Sequence, residues 1–180
     1  GTSALLAEDP NDFSDDPNDL AEPVEDYDPF AGPQTDAEIA QSLIPAFIQA
    51  CDELFSDYVT HKGLVKYAEL RRHRRKLYHA YRYLNDVHPA HLMALEPNEK
   101  IAFWINAYNA LTLKAIIDRY PIQSSLLRSL RFPQNSIRQI PGVWNQLHFK
   151  VMGRLMTLDE IEHQVIRKQF DEPRAHMALV

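Results

Sequence analysis

Apolar side chains recur at helical spacing through Ile39, Leu43, Ile44, Phe47, Ile48, Cys51, Leu54, Phe55 and Tyr58, directly after the capping-box pattern Thr35-Asp36-Ala37-Glu38. Pro45 interrupts that pattern, so the helix either kinks there or restarts with Ser42 near its cap. After Gly63, Leu64-Val65-Lys66-Tyr67 reads as a short extended piece. A helix over about 68–87 follows, with Leu70, Leu77, Tyr78, Tyr81 and Leu84 as its stripe. The next helix starts near Glu96-Pro97, where proline suits the first turn, and stops before Tyr120-Pro121. Apolar residues circle it from Ile101 to Ile117, which predicts a buried central helix over about 97–119.

Beyond it, 121–142 lacks apolar periodicity. Leu147-His148-Phe149-Lys150-Val151 then alternates like a strand, and Met152-Gly153-Arg154 turns it toward Leu155-Met156. Thr157-Leu158-Asp159-Glu160 is a second capping box, opening a helix through Ile161, Val165 and Ile166 to about Gln169. Pro173 closes that region, and His176-Met177-Ala178-Leu179-Val180 starts another strand-like run, on which the sequence ends as if a domain were cut short. The expected class is mixed α/β (α+β), helix-rich, with a small sheet built from the Leu147 and His176 segments.

Charge divides the chain. Residues 1–61 carry fifteen acidic side chains and no Lys or Arg, whereas 62–180 carry all nineteen basic residues against the remaining ten of the 25 acids. Residues 1–34 are acidic, proline-rich and poor in apolar side chains, so burial cannot offset their ordering entropy. They read as a disordered tail before a single domain at 35–180. The tail is either a solubilising linker or a strap lying on the basic run Arg71, Arg72, Arg74, Arg75 and Lys76. That run, beside Tyr78, Tyr81 and Tyr83, fits a solvated helix face better than a nucleic-acid interface, because no nucleic-acid motif accompanies it.

The uncharged run from Ile101 to Leu113 is bounded by Lys100 and Lys114 and falls short of the roughly 20 apolar residues of a membrane span. The first residues have neither the basic nor the apolar region of a signal peptide, which leaves the compartment open, export after signal removal included. A lone cysteine, Cys51, excludes an internal disulfide or cysteine-based zinc cluster. On an apolar face beside Asp52 and Glu53, it reads as a structural thiol.

Candidate chemistry centres on Phe103-Trp104-Ile105-Asn106-Ala107-Tyr108-Asn109-Ala110. Buried amides must find partners, and an unpaired one costs about 1–3 kcal/mol. Asn106 and Asn109 are therefore expected to be largely buried and bonded to backbone outside their helix, with Trp104 and Tyr108 completing a polar centre. Glu162 and His163 follow on the second capped helix, where Asp159 and Arg167, four residues either side of His163, offer an ordinary ion network. His163 and His176 lack the spacing of a zinc helix, and neither metal nor cofactor is expected. Arg174 and His176 lead the last run, and His176 either pins the Pro173 turn or serves as a base.

The order of these motifs resembles the domain of unknown function 547 family. The similarity runs over roughly residues 55–180: the Tyr67 segment, Lys100 to Thr112, Ser136-Ile137-Arg138, Gly142-Val143-Trp144, Leu158 to His163, Ile166-Arg167, and Asp171 to Val180. The resemblance implies a continuation with one or two cysteines, and no established reaction. Some eukaryotic relatives are joined to glutaredoxin-like or leucine-zipper segments, and many bacterial ones look exported.

Two functional classes follow. One is a cysteine-dependent hydrolase or acyl-transfer domain whose nucleophile lies beyond residue 180, inactive as this sequence stands. In it His176 or His163 is the base, and Asn106 or Asn109 the orienting amide. The other is a non-catalytic module in which the same polar centre fixes a groove for a peptide or partner protein.

Overall fold

The computed structural model describes residues 42–122 and 136–170. The acidic segment and the Thr35 capping box lie outside the described residues, as do Arg174, His176 and the final run. The described part is helix-rich α+β with a two-stranded antiparallel sheet.

Helix α1 spans Ile44–Tyr58, with Pro45 in its first turn, where no amide hydrogen is needed. The Ser42 hydroxyl accepts from the Ile44 amide at 3.3 Å, so the helix starts beside Ser42. Its stripe Ile44, Phe47, Cys51, Leu54 and Tyr58 is buried. The extended piece after Gly63 reduces to one bridge between Val59 and Val65.

The single helix expected over 68–87 is two: α2, Tyr67–Arg72, and α3, Arg75–Asp86. The break falls within the basic run, where a continuous helix would set Arg71 over Arg75 and Arg72 over Lys76. Like charges at that spacing destabilise a helix. Lys76 pairs instead with Asp57 of α1. A short helix not anticipated from the sequence, α4 at Pro89–Met93, is capped by the His88 ring, which accepts from the Ala90 amide at 3.2 Å.

The central helix α5 spans Pro97–Ile117 and ends two residues short of the predicted boundary. Its capping box uses glutamates: Glu99 accepts from the Glu96 amide at 2.9 Å, and Glu96 returns the bond. From Ala110 to Leu113 and from Ala115 to Ile117 every residue is buried, as the apolar circle predicts.

Strands β1 (Phe149–Val151) and β2 (Arg154–Met156) form a hairpin in which Phe149 faces Met156 and Val151 faces Arg154. Among the described residues, the sheet joins the Leu147 segment to its neighbour, while the expected His176 strand lies outside them. The turn residues Met152 and Gly153 have φ of 50° and 73°, a pair of left-handed conformations that matches the twist of a two-residue hairpin. Their amides donate to the carbonyls of Leu84 and Asn85, fastening the hairpin to the end of α3.

The Thr157 capping box forms as predicted. The Thr157 amide donates to Glu160 at 2.8 Å, and the Glu160 amide to the Thr157 hydroxyl at 3.2 Å. The helix it opens is α-helical only at Leu158 and Asp159 before it widens. Glu160–Ile166 is a π-helical turn, in which the Arg167 amide donates to the Glu162 carbonyl, before an α-helical end at Arg167–Gln169. Widening brings residues five apart onto one side. Ile161 and Ile166 thereby share the core face, and Glu162 lies beside Arg167.

Two apolar clusters result. The larger gathers Phe47 and Cys51, Ala80 and Leu84, Phe103 and Leu111, Phe149 and Val151, and Ile161 and Ile166, among others. The second holds Leu54, Tyr58, Leu70, Leu77, Leu113 and Ile117.

Candidate functional site

A helix as apolar as α5 can carry a polar group inward only where another element supplies a partner. Tyr108 is 3% exposed, and its hydroxyl donates to Glu162 Oε2 across 3.4 Å, a long bond. Glu162, 9% exposed, sits on the π-helical turn, and its Oε1 accepts from Arg167 Nη2 at 2.6 Å. An α-helical pitch would rotate Arg167 away from Glu162, so the wide turn makes this ion pair. Trp144 adds a side-chain hydrogen bond to Tyr108. The Trp144 carbonyl accepts from the Asp159 amide at 2.9 Å, tying that loop to the start of the turn.

Burial pushes the Tyr108 hydroxyl up to about 12, and the charge and hydrogen bond of Glu162 act in the same direction. Trp144 opposes them. Tyr108 is therefore a neutral donor at ordinary pH and not a nucleophile. The arrangement orients and holds. Trp104, one turn before Tyr108, is 6% exposed and packs edge-on to Phe103.

The amides expected at the middle of this centre are on another face. Asn106 and Asn109 are partly buried, and with Ala102 and Ile105 they form a strip at helical spacing along the less covered side of α5. The buried centre is Tyr108 with Glu162.

His163 is exposed, and its Nδ1 lies 3.2 Å from the Asp159 carbonyl. The ion network foreseen around it does not form, because Arg167 turns to Glu162. The structure thus joins Tyr108 and Glu162 and leaves His163 outside. His176 and Arg174 lie outside the described residues.

Cys51 is fully buried, and burial first, then Asp52, pushes its thiol up to about 12. Among the described residues no group of three or more His, Cys, Asp or Glu could hold a metal ion. No helix among them is long and apolar enough to cross a membrane.

The sequence carries no signal that brings Arg167 and Trp144 to this centre. A five-residue separation escapes any reading at 3.6 residues per turn, and the loop carrying Trp144 has no periodicity to reveal its direction. A second feature also gave no sequence signal: a cleft of about 440 Å³ at the C-terminal end of α5, bordered by Arg71, Asp118, Arg119, Tyr120, Ile122 and Ile140.

Residues 92–180 match the family model described as protein of unknown function, DUF547. The match includes α5, the hairpin and the Glu162 turn, and begins after the Tyr67 segment. No curated protein and no solved structure matches the chain.

Proposed function

With residues 92–180 a DUF547 region, a family whose description states no function, we propose that this chain is a binding module rather than a self-sufficient enzyme. The observation that carries the reading is that the buried carboxylate is already engaged: Tyr108 donates to Glu162, and Glu162 pairs with Arg167. A general base must reach the proton it abstracts within roughly 2.6–3.2 Å. Glu162 already has protein partners on both oxygens. The one cysteine is buried, with its thiol well above the range of a reactive thiolate. In this reading the Tyr108–Glu162–Arg167 latch holds the capped turn against α5, and the cleft at the far end of α5 receives a peptide or partner segment.

The test is peptide display panned against the whole chain. The expected result is a convergent motif whose binding is reversible and leaves the peptide intact. Failure to converge, together with turnover of a p-nitrophenyl ester that His163→Ala abolishes, would overturn it.

The second reading is the cysteine-dependent hydrolase or acyl-transfer domain, with its nucleophile supplied from beyond residue 180. It is favoured by the partly buried positions of Asn106 and Asn109, residue types whose amides donate to carbonyl oxygens, and by the π-helical turn, a feature frequent at functional sites. In a longer chain with a downstream cysteine, it requires a thiol of depressed pKa that His176→Ala restores toward about 8.5.

A further inference from the structure

We infer that the cleft at the end of α5 takes a carboxylate carried on an apolar body, its charge held between Arg71 and Arg119. The inference rests on the binding-module reading and adds the chemistry of the ligand. At about 440 Å³ the cleft lies within the range of small-ligand sites, roughly 300–1,000 Å³. Gln139 brings a neutral polar side chain to its wall. Tyr120, Ile122 and Ile140 supply apolar surface, while Arg71 from α2 and Arg119 just beyond α5 bring two positive charges to the rim.

Asp118 borders the same cleft, but its carboxylate is committed elsewhere. Oδ2 pairs with Lys114 Nζ at 2.7 Å, and Oδ1 accepts from the Tyr78 hydroxyl. Lys114 is itself confined, its side chain 12% exposed and its ammonium 4.5 Å from the Tyr78 ring centre and 4.8 Å from that of Tyr81. That cation therefore offsets the charge of Asp118. Arg119 donates to the Ala115 carbonyl at 3.4 Å, and neither arginine has an ion pair among the described residues.

Two guanidiniums with no ion pair among the described residues, beside an apolar wall, are a receptor for an anion, and their planar donors suit a carboxylate. The apolar wall asks for an alkyl or aryl body. The C-terminus of a peptide ending in a large apolar residue and a free apolar acid both present this chemistry.

The test is calorimetric titration of the full chain with three probes: 4-phenylbutyrate, an N-acetylated peptide ending in Leu-Phe with a free C-terminus, and the same peptide amidated. Binding of either carboxylate that weakens tenfold or more in Arg71→Gln and in Arg119→Gln is the expected result. Affinity should fall between 0.05 and about 0.5 M salt as charges are screened. Arg82→Gln, at an exposed position that does not border the cleft, should leave it unchanged, and melting curves check that each variant folds. The free acid binding alone assigns a small-molecule site, whereas preference for the peptide assigns a C-terminus reader. Equal binding of the amidated peptide overturns the carboxylate inference and leaves the binding module standing. If no probe binds, the carboxylate inference is again overturned, while a convergent apolar motif from peptide display would still support the module.

Discussion

Replacing Arg167 by alanine probes the polar centre directly. Glu162 keeps a side chain that is 11% exposed, while its partner is 48% exposed. The substitution therefore takes the charged partner from a nearly buried carboxylate that also accepts from Tyr108. A charge-assisted hydrogen bond contributes about 1.5–3 kcal/mol, and removing one partner of a fully buried pair costs about 3–5 kcal/mol. Water reaches the exposed half of Arg167 and lowers the expected loss to about 1.5–2.5 kcal/mol.

The assay is urea unfolding, read as a lower midpoint at constant slope, with a drop in Tm of roughly 4–8 °C for a chain of this size. Glu162→Gln should cost less, on the order of 1 kcal/mol, because the amide retains an acceptor for Tyr108 without a charge to strand. The double variant should cost less than the sum of the two, by about 1 kcal/mol. A loss below about 0.5 kcal/mol for Arg167→Ala, additive with Glu162→Gln, would mean an ordinary surface pair, and the latch would be refuted.

Cys51 should resist iodoacetamide in the folded chain and react on unfolding, since burial holds its thiol near 12 against an ordinary 9.0; rapid native alkylation would contradict this. The raised folded pKa values of Cys51 and Tyr108 act with one sign: their stabilisation is complete below pH 9 and is lost as pH rises toward about 12. Unfolding by base should therefore set in above pH 9, and Cys51→Ala should flatten the slope between pH 9 and 10.0, where Tyr108 has not begun to contribute; an unchanged slope there would assign it to other groups. Thr157→Ala removes the hydroxyl that accepts from the Glu160 amide and should cost about 1 kcal/mol in urea unfolding. An unaltered midpoint would show that the π-helical turn needs no cap.

The elements legible in the sequence were those whose ends carry their own chemistry. Pro97 and the Tyr120-Pro121 pair bound the central helix within two residues, and the Thr157-Glu160 pair opens its turn where expected. The hairpin was legible because Phe149 and Val151 alternate about a Met-Gly turn. Hidden features depended on contacts between elements. The break at His73 arises from a run of like charges that a stripe of leucines does not register. Glu162 finds Arg167 only because the turn is wide, and periodicity at 3.6 residues assigns Arg167 to His163 instead. Among the polar residues of the apolar helix α5, it is Tyr108 that meets a carboxylate, on an element 54 residues further along the chain.

The two apolar clusters have no seam between them. Helix α1 gives Phe47 and Cys51 to one and Leu54 and Tyr58 to the other. Helix α3 divides between Ala80 and Leu77, and α5 between Leu111 and Leu113. Each helix is a continuous hydrogen-bonded rod, so separating the clusters would mean snapping three rods in mid-length. Losing one cluster then entails losing the other, and the three helices form one cooperative unit toward local opening. A ligand gripping the cleft at the end of α5 would accordingly stabilise all three, although it touches only a corner of them.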